Sequence, residues 1–146
     1  MTAHDPRLTP ARPDLAAAHL QGHVSATRFV AGATRAVIEP SAPVRRAPSP
    51  DAALDTEALA GERVTVYETT AEGWCWAQLE ADGYVGWIPE CALGAADAVP
   101  THRVAALRTL VFPGPSIKLP PVAALPFGAH VAVLRTQERF AVTAGG

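Results

Sequence analysis

The residues of this 146-residue chain whose types could support chemistry are two cysteines, five histidines and three tryptophans. Cys75 lies between Trp74 and Trp76, and Cys91 follows Glu90. A thiolate nucleophile needs a positive neighbour or a helix N-terminus to lower its pKa, and neither cysteine has one in its local sequence. Both therefore read as small apolar fillers, and the default is two buried thiols rather than a disulfide. His19 and His23 are four apart, the spacing of two ligands on one helical face, but Gly22 should end the helix between them and no third ligand stands close. Glu80 and Asp82 flank a turn signal and read as solvated rather than as an acid/base pair. There is no phosphate-cradling glycine loop and no Ser/His/Asp pattern. The expectation is a chain with no metal, no cofactor and no catalysis of its own.

The tryptophans point to binding. Strand alternation puts Trp74 and Trp76 on one face, with Trp87 able to oppose them from a neighbouring strand. A domain this small has room for roughly two such rings inside. At least one should lie at a groove or interface, as in modules that dock extended peptides, and Trp87 is the expected groove residue.

The elements that must carry these residues are short. Apolar residues make up 49% of the chain and charged ones 18%, with 14 prolines and 11 glycines, so the chain is too apolar for disorder and too interrupted for long helices. A net charge of −2, with no basic run longer than Arg45-Arg46, argues against a nucleic-acid surface. No apolar run approaches the ~18 residues of a membrane span. The opening residues lack a basic stretch followed by an apolar one, which reads as a cytoplasmic start.

Residues 1–35 form an N-terminal arm. Arg12-Pro13-Asp14 marks a helix start, and Leu15 to Gln21 predicts one or two helical turns ending at Gly22, before a weakly strand-like 24–30. From Ala36 the pattern is all-β: strands at 36–38 and 44–46, a Pro-rich excursion over 47–59, strands at 61–68 and 73–79, an Asp82-Gly83 hairpin turn, and a strand over 84–88 closed by Pro89. Gly128 to Val133 then matches Gly61 to Val66 in register, a repeat with a period of 67 residues. Arg139 to Val142 corresponds to Gly73 to Trp76, and Gly145-Gly146 falls near the counterpart of Asp82-Gly83. Nothing corresponds to Tyr84 to Pro89, which leaves an unpaired strand edge. The second unit reads as truncated, or as completed by a strand from elsewhere.

Leu59-Ala-Gly61-Glu-Arg-Val64-Thr-Val66, then Gly73-Trp74-Cys-Trp76, then Asp82-Gly83-Tyr84-Val-Gly86-Trp87-Ile-Pro89 resembles the bacterial SH3 domain pattern, and Gly-Tyr-x-Gly-Trp-x-Pro is its most specific part. The tandem arrangement behind an arm is similar to the N-terminal half of NlpC-type cysteine peptidases of the murein-peptide dipeptidyl-peptidase kind. The fold this implies is two small SH3-like barrels: a first domain over 36–95 and a second, incomplete one over 100–146. In that family a papain-like catalytic domain follows and cuts the γ-D-glutamyl bond to a diamino acid in free cell-wall peptides. Its Asp-Cys-Ser-Gly nucleophile motif and downstream His are missing from this sequence, so the resemblance implies a non-catalytic, substrate-selecting module whose partners are that catalytic domain and murein-derived peptides.

In the resembled peptidases the first SH3-like domain helps select peptides with a free amino-terminal alanine, using a Tyr and a carboxylate. A free ammonium needs an anion and an acceptor, so the residue types fit the task. Tyr84 matches the Tyr best. Asp55 is the preferred carboxylate, with Glu57 and Asp51 behind it. The rival reading is a free-standing peptide- or protein-interaction module that uses the aromatic groove.

Overall fold

A computed structural model describes residues 4–144, so Gly145-Gly146 and their proposed correspondence to the Asp82-Gly83 turn lie outside the described residues. Strands dominate. Seven of them form one sheet: β3 (Ala33–Val37), β4 (Ser41–Arg45), β5 (Leu54–Leu59), β6 (Arg63–Thr69), β7 (Trp74–Leu79), β8 (Val85–Pro89) and β9 (Leu93–Ala95), in the spatial order β5-β4-β8-β7-β6-β3-β9. Ala58 on one outer strand and Leu93 on the other belong to the same buried cluster, together with Val44, Val64, Leu79 and Ile88. A sheet whose two edges share a core must curl on itself, and this is the SH3-like half-barrel expected for an all-β chain. Val64 and Val66 point into it, as their alternation requires.

Several local expectations change. Residues 15–21 are not a helix: Leu15–Ala17 is a strand, β1, parallel to β2 (Arg28–Val30), and Ala18–Leu20 is a single 3₁₀ turn. Helix propensity loses here because all three residues of β1 are buried, and a strand can bury its whole face where a surface helix cannot. The 3₁₀ turn ends before Gly22, so His19 and His23 share no helical face. The excursion after β4 ends at residue 53, because Leu54–Leu59 pairs antiparallel with β4 through Ala42↔Ala58 and Val44↔Thr56. The barrel's first strand begins at Ala33, and the weak strand over 24–30 shortens to β2. Both cysteines are free, but only Cys75 is buried; Cys91, in the turn after β8, is exposed.

Beyond β9 lie three two-stranded ladders: β10 (His102–Arg103) with β13 (His130–Val131), β11 (Arg108–Val111) with β12 (Ala123–Pro126), and β14 (Val133–Gln137) with β15 (Phe140–Thr143). The first two repeat the registers of the first unit at an offset of 67, whereas β14–β15 is shifted by one residue, Glu68↔Trp76 being replaced by Arg135↔Val142. Ala42↔Ala58 becomes Thr109↔Leu125, and Arg35↔Val64 becomes His102↔Val131. The turns repeat as well. Gly61 N–H donates to the Val37 carbonyl and Gly128 N–H to the Val104 carbonyl, both at 2.9 Å, and both glycines have φ near +80° to +90°. Among the described residues, β15 pairs only with β14 and β11 only with β12, where β8 stands in the first unit.

Candidate functional site

The turn joining β7 to β8 carries Tyr84. Gly83 takes φ +78°, which a side chain opposes, and the Asp82 carboxylate accepts the Tyr84 N–H at 3.0 Å. Gln78, on β7, braces the turn. Its amide donates to the Gly83 carbonyl at 3.0 Å and to the Leu8 carbonyl at 3.3 Å, and its carbonyl accepts from the Tyr67 hydroxyl. The arm is bound here too, since Val85 N–H donates to the Arg7 carbonyl at 2.7 Å. Tyr84 is left half-buried.

Strand pairing brings two of the expected residues to one end of the barrel. Asp55 is the second residue of β5 and Tyr84 immediately precedes β8, and both strands run antiparallel to β4, so the two residues lie at the same end of the sheet. Hydrogen bonds to the Asp5 carboxylate raise the pKa of the nearby Arg7 guanidinium. The Asp55 side chain is only 9% exposed and accepts a 2.6 Å hydrogen bond from Arg46, whose own side chain is 70% exposed. The other two carboxylates go elsewhere. Glu57 is exposed and lines a groove between the two units with Ser41, Leu59 and Arg108. Asp51 sits on the exposed tip of the β4–β5 loop, its N–H donating to the Ser49 hydroxyl.

Trp87 stands directly opposite Trp76 across the β7–β8 ladder, and Tyr67 packs on Trp76 with ring centroids 5.7 Å apart. Trp76 is buried at 4%, whereas Trp87 is half-buried. The arm covers this face. Leu15 packs into the cluster, and a tight hairpin, Arg12 N–H to the Leu15 carbonyl at 2.8 Å, drives Arg12 between the rings. The Arg12 guanidinium carbon is 4.4 Å from the Trp76 ring centroid and 5.1 Å from that of Trp87. Burial works against its charge, and hydrogen bonds to Asp14 and Glu68, each 2.7 Å at the shortest, outweigh it. One guanidinium nitrogen, Nη1, is buried without a partner.

Sequence reasoning did not find Arg7 or Arg12. Arg12-Pro13-Asp14 looks like a helix start, and nothing local indicates that Arg12 pairs with Glu68, 56 positions away. Cys75 is buried, which pushes its thiol up, and the Thr69 hydroxyl at 3.4 Å offsets this only in part.

Residues 44–93 match the family model described as the bacterial dipeptidyl-peptidase SH3 domain. Over this stretch the chain is similar to that domain. The match contains β5 and β8 together with the turn between β7 and β8, and therefore both Asp55 and Tyr84. A solved NlpC/P60 family protein from Bacillus cereus ATCC 10987 superposes with a TM-score of 0.53 at 17% identity, over 72% of this chain and 48% of that one. At that identity the likeness shows the fold, and the chain spans about half the length of that protein. No curated protein matches the chain.

Proposed function

We propose that this chain is the non-catalytic, ligand-selecting part of a cell-wall-peptide cysteine peptidase, and that Asp55 and Tyr84 receive the free amino terminus of the peptide. What supports this reading is that strand pairing leaves both residues at one end of the sheet, inside the stretch that matches a dipeptidyl-peptidase SH3 domain. Asp55 is neutralised by Arg46, and an ammonium arriving there takes the place of that guanidinium. The exchange is feasible because Arg46 is anchored by a single long, exposed side chain, whereas Asp55 is fixed on a strand. One charge-assisted hydrogen bond replaces another, and the Tyr84 hydroxyl supplies an acceptor for a second ammonium hydrogen. In this reading bond cleavage falls to a papain-like catalytic domain, the ligands are murein-derived peptides, and the setting is cytoplasmic recycling of imported wall fragments.

The test compares alanyl-alaninamide with its N-acetylated form, neither of which carries a carboxylate, by following amide shifts of Asp55 and Tyr84 in the intact chain. Saturable shifts with the free amine alone support the reading, and Asp55→Asn should weaken them by about tenfold or more, as for a lost charge-assisted hydrogen bond. An equal response to both peptides favours a general interaction module instead.

A further inference from the structure

A second site stands where the two repeat units meet. The junction is made by a backbone hydrogen bond and apolar packing. His130 N–H donates to the Ala60 carbonyl at 2.7 Å, and Ala60, Val104 and Ala129 form a small buried cluster with Leu125 packed against it. Gly61 is required there: it takes φ +79°, and a methyl built on it would collide with the His130 carbonyl. Thr101 ties the second wall together, its hydroxyl accepting the Val133 N–H at 2.9 Å and pairing with His102 Nδ1 at 2.8 Å.

Beside this junction opens a cleft of about 460 Å³, within the usual ligand-pocket range and at an interface between units, where such pockets concentrate. Its charged lining is Arg63, Glu62 and Glu80 from the first unit and Arg103 from the second, with His102 and His130 beside them. The acids are partly committed. The Glu62 carboxylate accepts the Leu59 N–H, and Glu80 is 3.8 Å from Arg63 Nε, beyond hydrogen-bond reach. Arg63 Nε is buried and has no hydrogen-bond partner, and Arg103 has no ion-pair partner among the described residues. Arg103 is exposed, so its guanidinium is open to an acceptor from outside.

We infer that this cleft binds the carboxylate of a small ligand such as a short peptide, held by Arg103 and Arg63. A monoanion fits better than a phosphate dianion because Glu62 and Glu80 share the walls and would repel the second charge. The inference does not rest on the amino-terminal site, because its probe has a blocked amine. In the intact chain, titration with N-acetyl-alanyl-alanine should give saturable amide shifts at Gly61, His102, Arg103 and His130, while N-acetyl-alanyl-alaninamide gives none. Arg103→Ala, or Arg103→Gln if the stem is needed for folding, should weaken binding about tenfold and leave shifts in the first barrel unchanged. An equal response to acid and amide, no saturable response, unaltered affinity in both Arg103 variants, or inorganic phosphate binding more tightly than the peptide would each overturn it.

Discussion

Arg12→Ala should detach the arm from the aromatic face without unfolding the barrel. Two rings lie within the ~6 Å over which a guanidinium is attracted to an aromatic face, together worth about 1–2 kcal/mol in a partly desolvated setting. The ion pair with Glu68, both side chains about a quarter exposed, adds roughly 0.5–1 kcal/mol, and Asp14, which is 63% exposed, adds little. The buried, unpartnered Nη1 subtracts about 1 kcal/mol, so the net loss should be about 0.5–2 kcal/mol. For a chain of this size that is a fall in Tm of roughly 1–8 °C. Two local readouts should accompany it: faster hydrogen exchange at Ala17 N–H, which donates to the Pro10 carbonyl, and at Val85 N–H, which donates to that of Arg7; and a red shift of tryptophan emission as water reaches Trp76. Arg12→Lys keeps the charge but loses the planar fork, and should fall between the two. If Arg12→Ala lowers Tm while exchange at both amides stays at the wild-type rate, the clamp assigned to Arg12 is wrong and the arm is held by Leu15 and by the arm's hydrogen bonds with Val85 and Gln78.

Gly61→Ala should cost more than about 3 kcal/mol, because the added methyl meets the His130 backbone; Gly22→Ala, at nearly the same φ but with nothing within 4 Å, should cost about 1 kcal/mol, and equal losses in chemical denaturation would contradict the steric reading. Acid should loosen the arm. The hydrogen bond from Arg12 holds the Asp14 carboxyl below its ordinary value, so its small contribution is present above about pH 4 and is lost as pH falls through the lower folded value, a dependence that Asp14→Asn should flatten in exchange measured at Ala17. Amides of the β14–β15 ladder should exchange at least about a hundredfold faster than those of β6–β7, since among the described residues the second unit buries only Val104 and Ala129; matched protection would refute that comparison.

The strands that alternate strongly were legible before any coordinates. Val64 and Val66, the Trp74-Cys-Trp76 run and the Asp82-Gly83 turn each state their own structure through period and turn chemistry. β5 was not legible, because its inward residues, Thr56 and Ala58, are too small or polar to mark a strand; what makes it one is the ladder offered by β4, which lies across a Pro-rich loop. β1 failed for the opposite reason. Its alanines signal helix, and only the covered aromatic face, distant in sequence, makes a strand the better burial. Within the site, the resemblance supplied Tyr84 and a set of three loop and strand carboxylates, and tertiary structure separated them: the register shift in the β4–β5 ladder between Val44 and Arg45 falls beside Asp55, which meets Arg46, whereas Glu57 lies on the groove between the units. No local rule foretells that separation.

The two units show how far backbone pairing and burial can diverge. At an offset of 67 residues the β4–β5 and β11–β12 ladders share their register, and the glycine turns share their hydrogen bonds and φ. Yet Ala42, Val44 and Ala58 are fully buried, whereas Thr109 is exposed and Val111 and Leu125 are only half-buried. The local sequences are comparably apolar, so the difference lies in what stands next to the ladder. In the first unit β8 brings Val85 and Ile88 between β4 and β7, and Gly86 lets it approach within contact of Val44. Turn chemistry and alternation are thus enough to set pairing within a hairpin. Sealing a small barrel takes the strand that joins its two hairpins, and in the first unit that strand follows directly from the turn carrying Tyr84. The same five residues that close the core therefore hold the candidate ligand face in place, and a change that loosens β8 should cost stability and binding together.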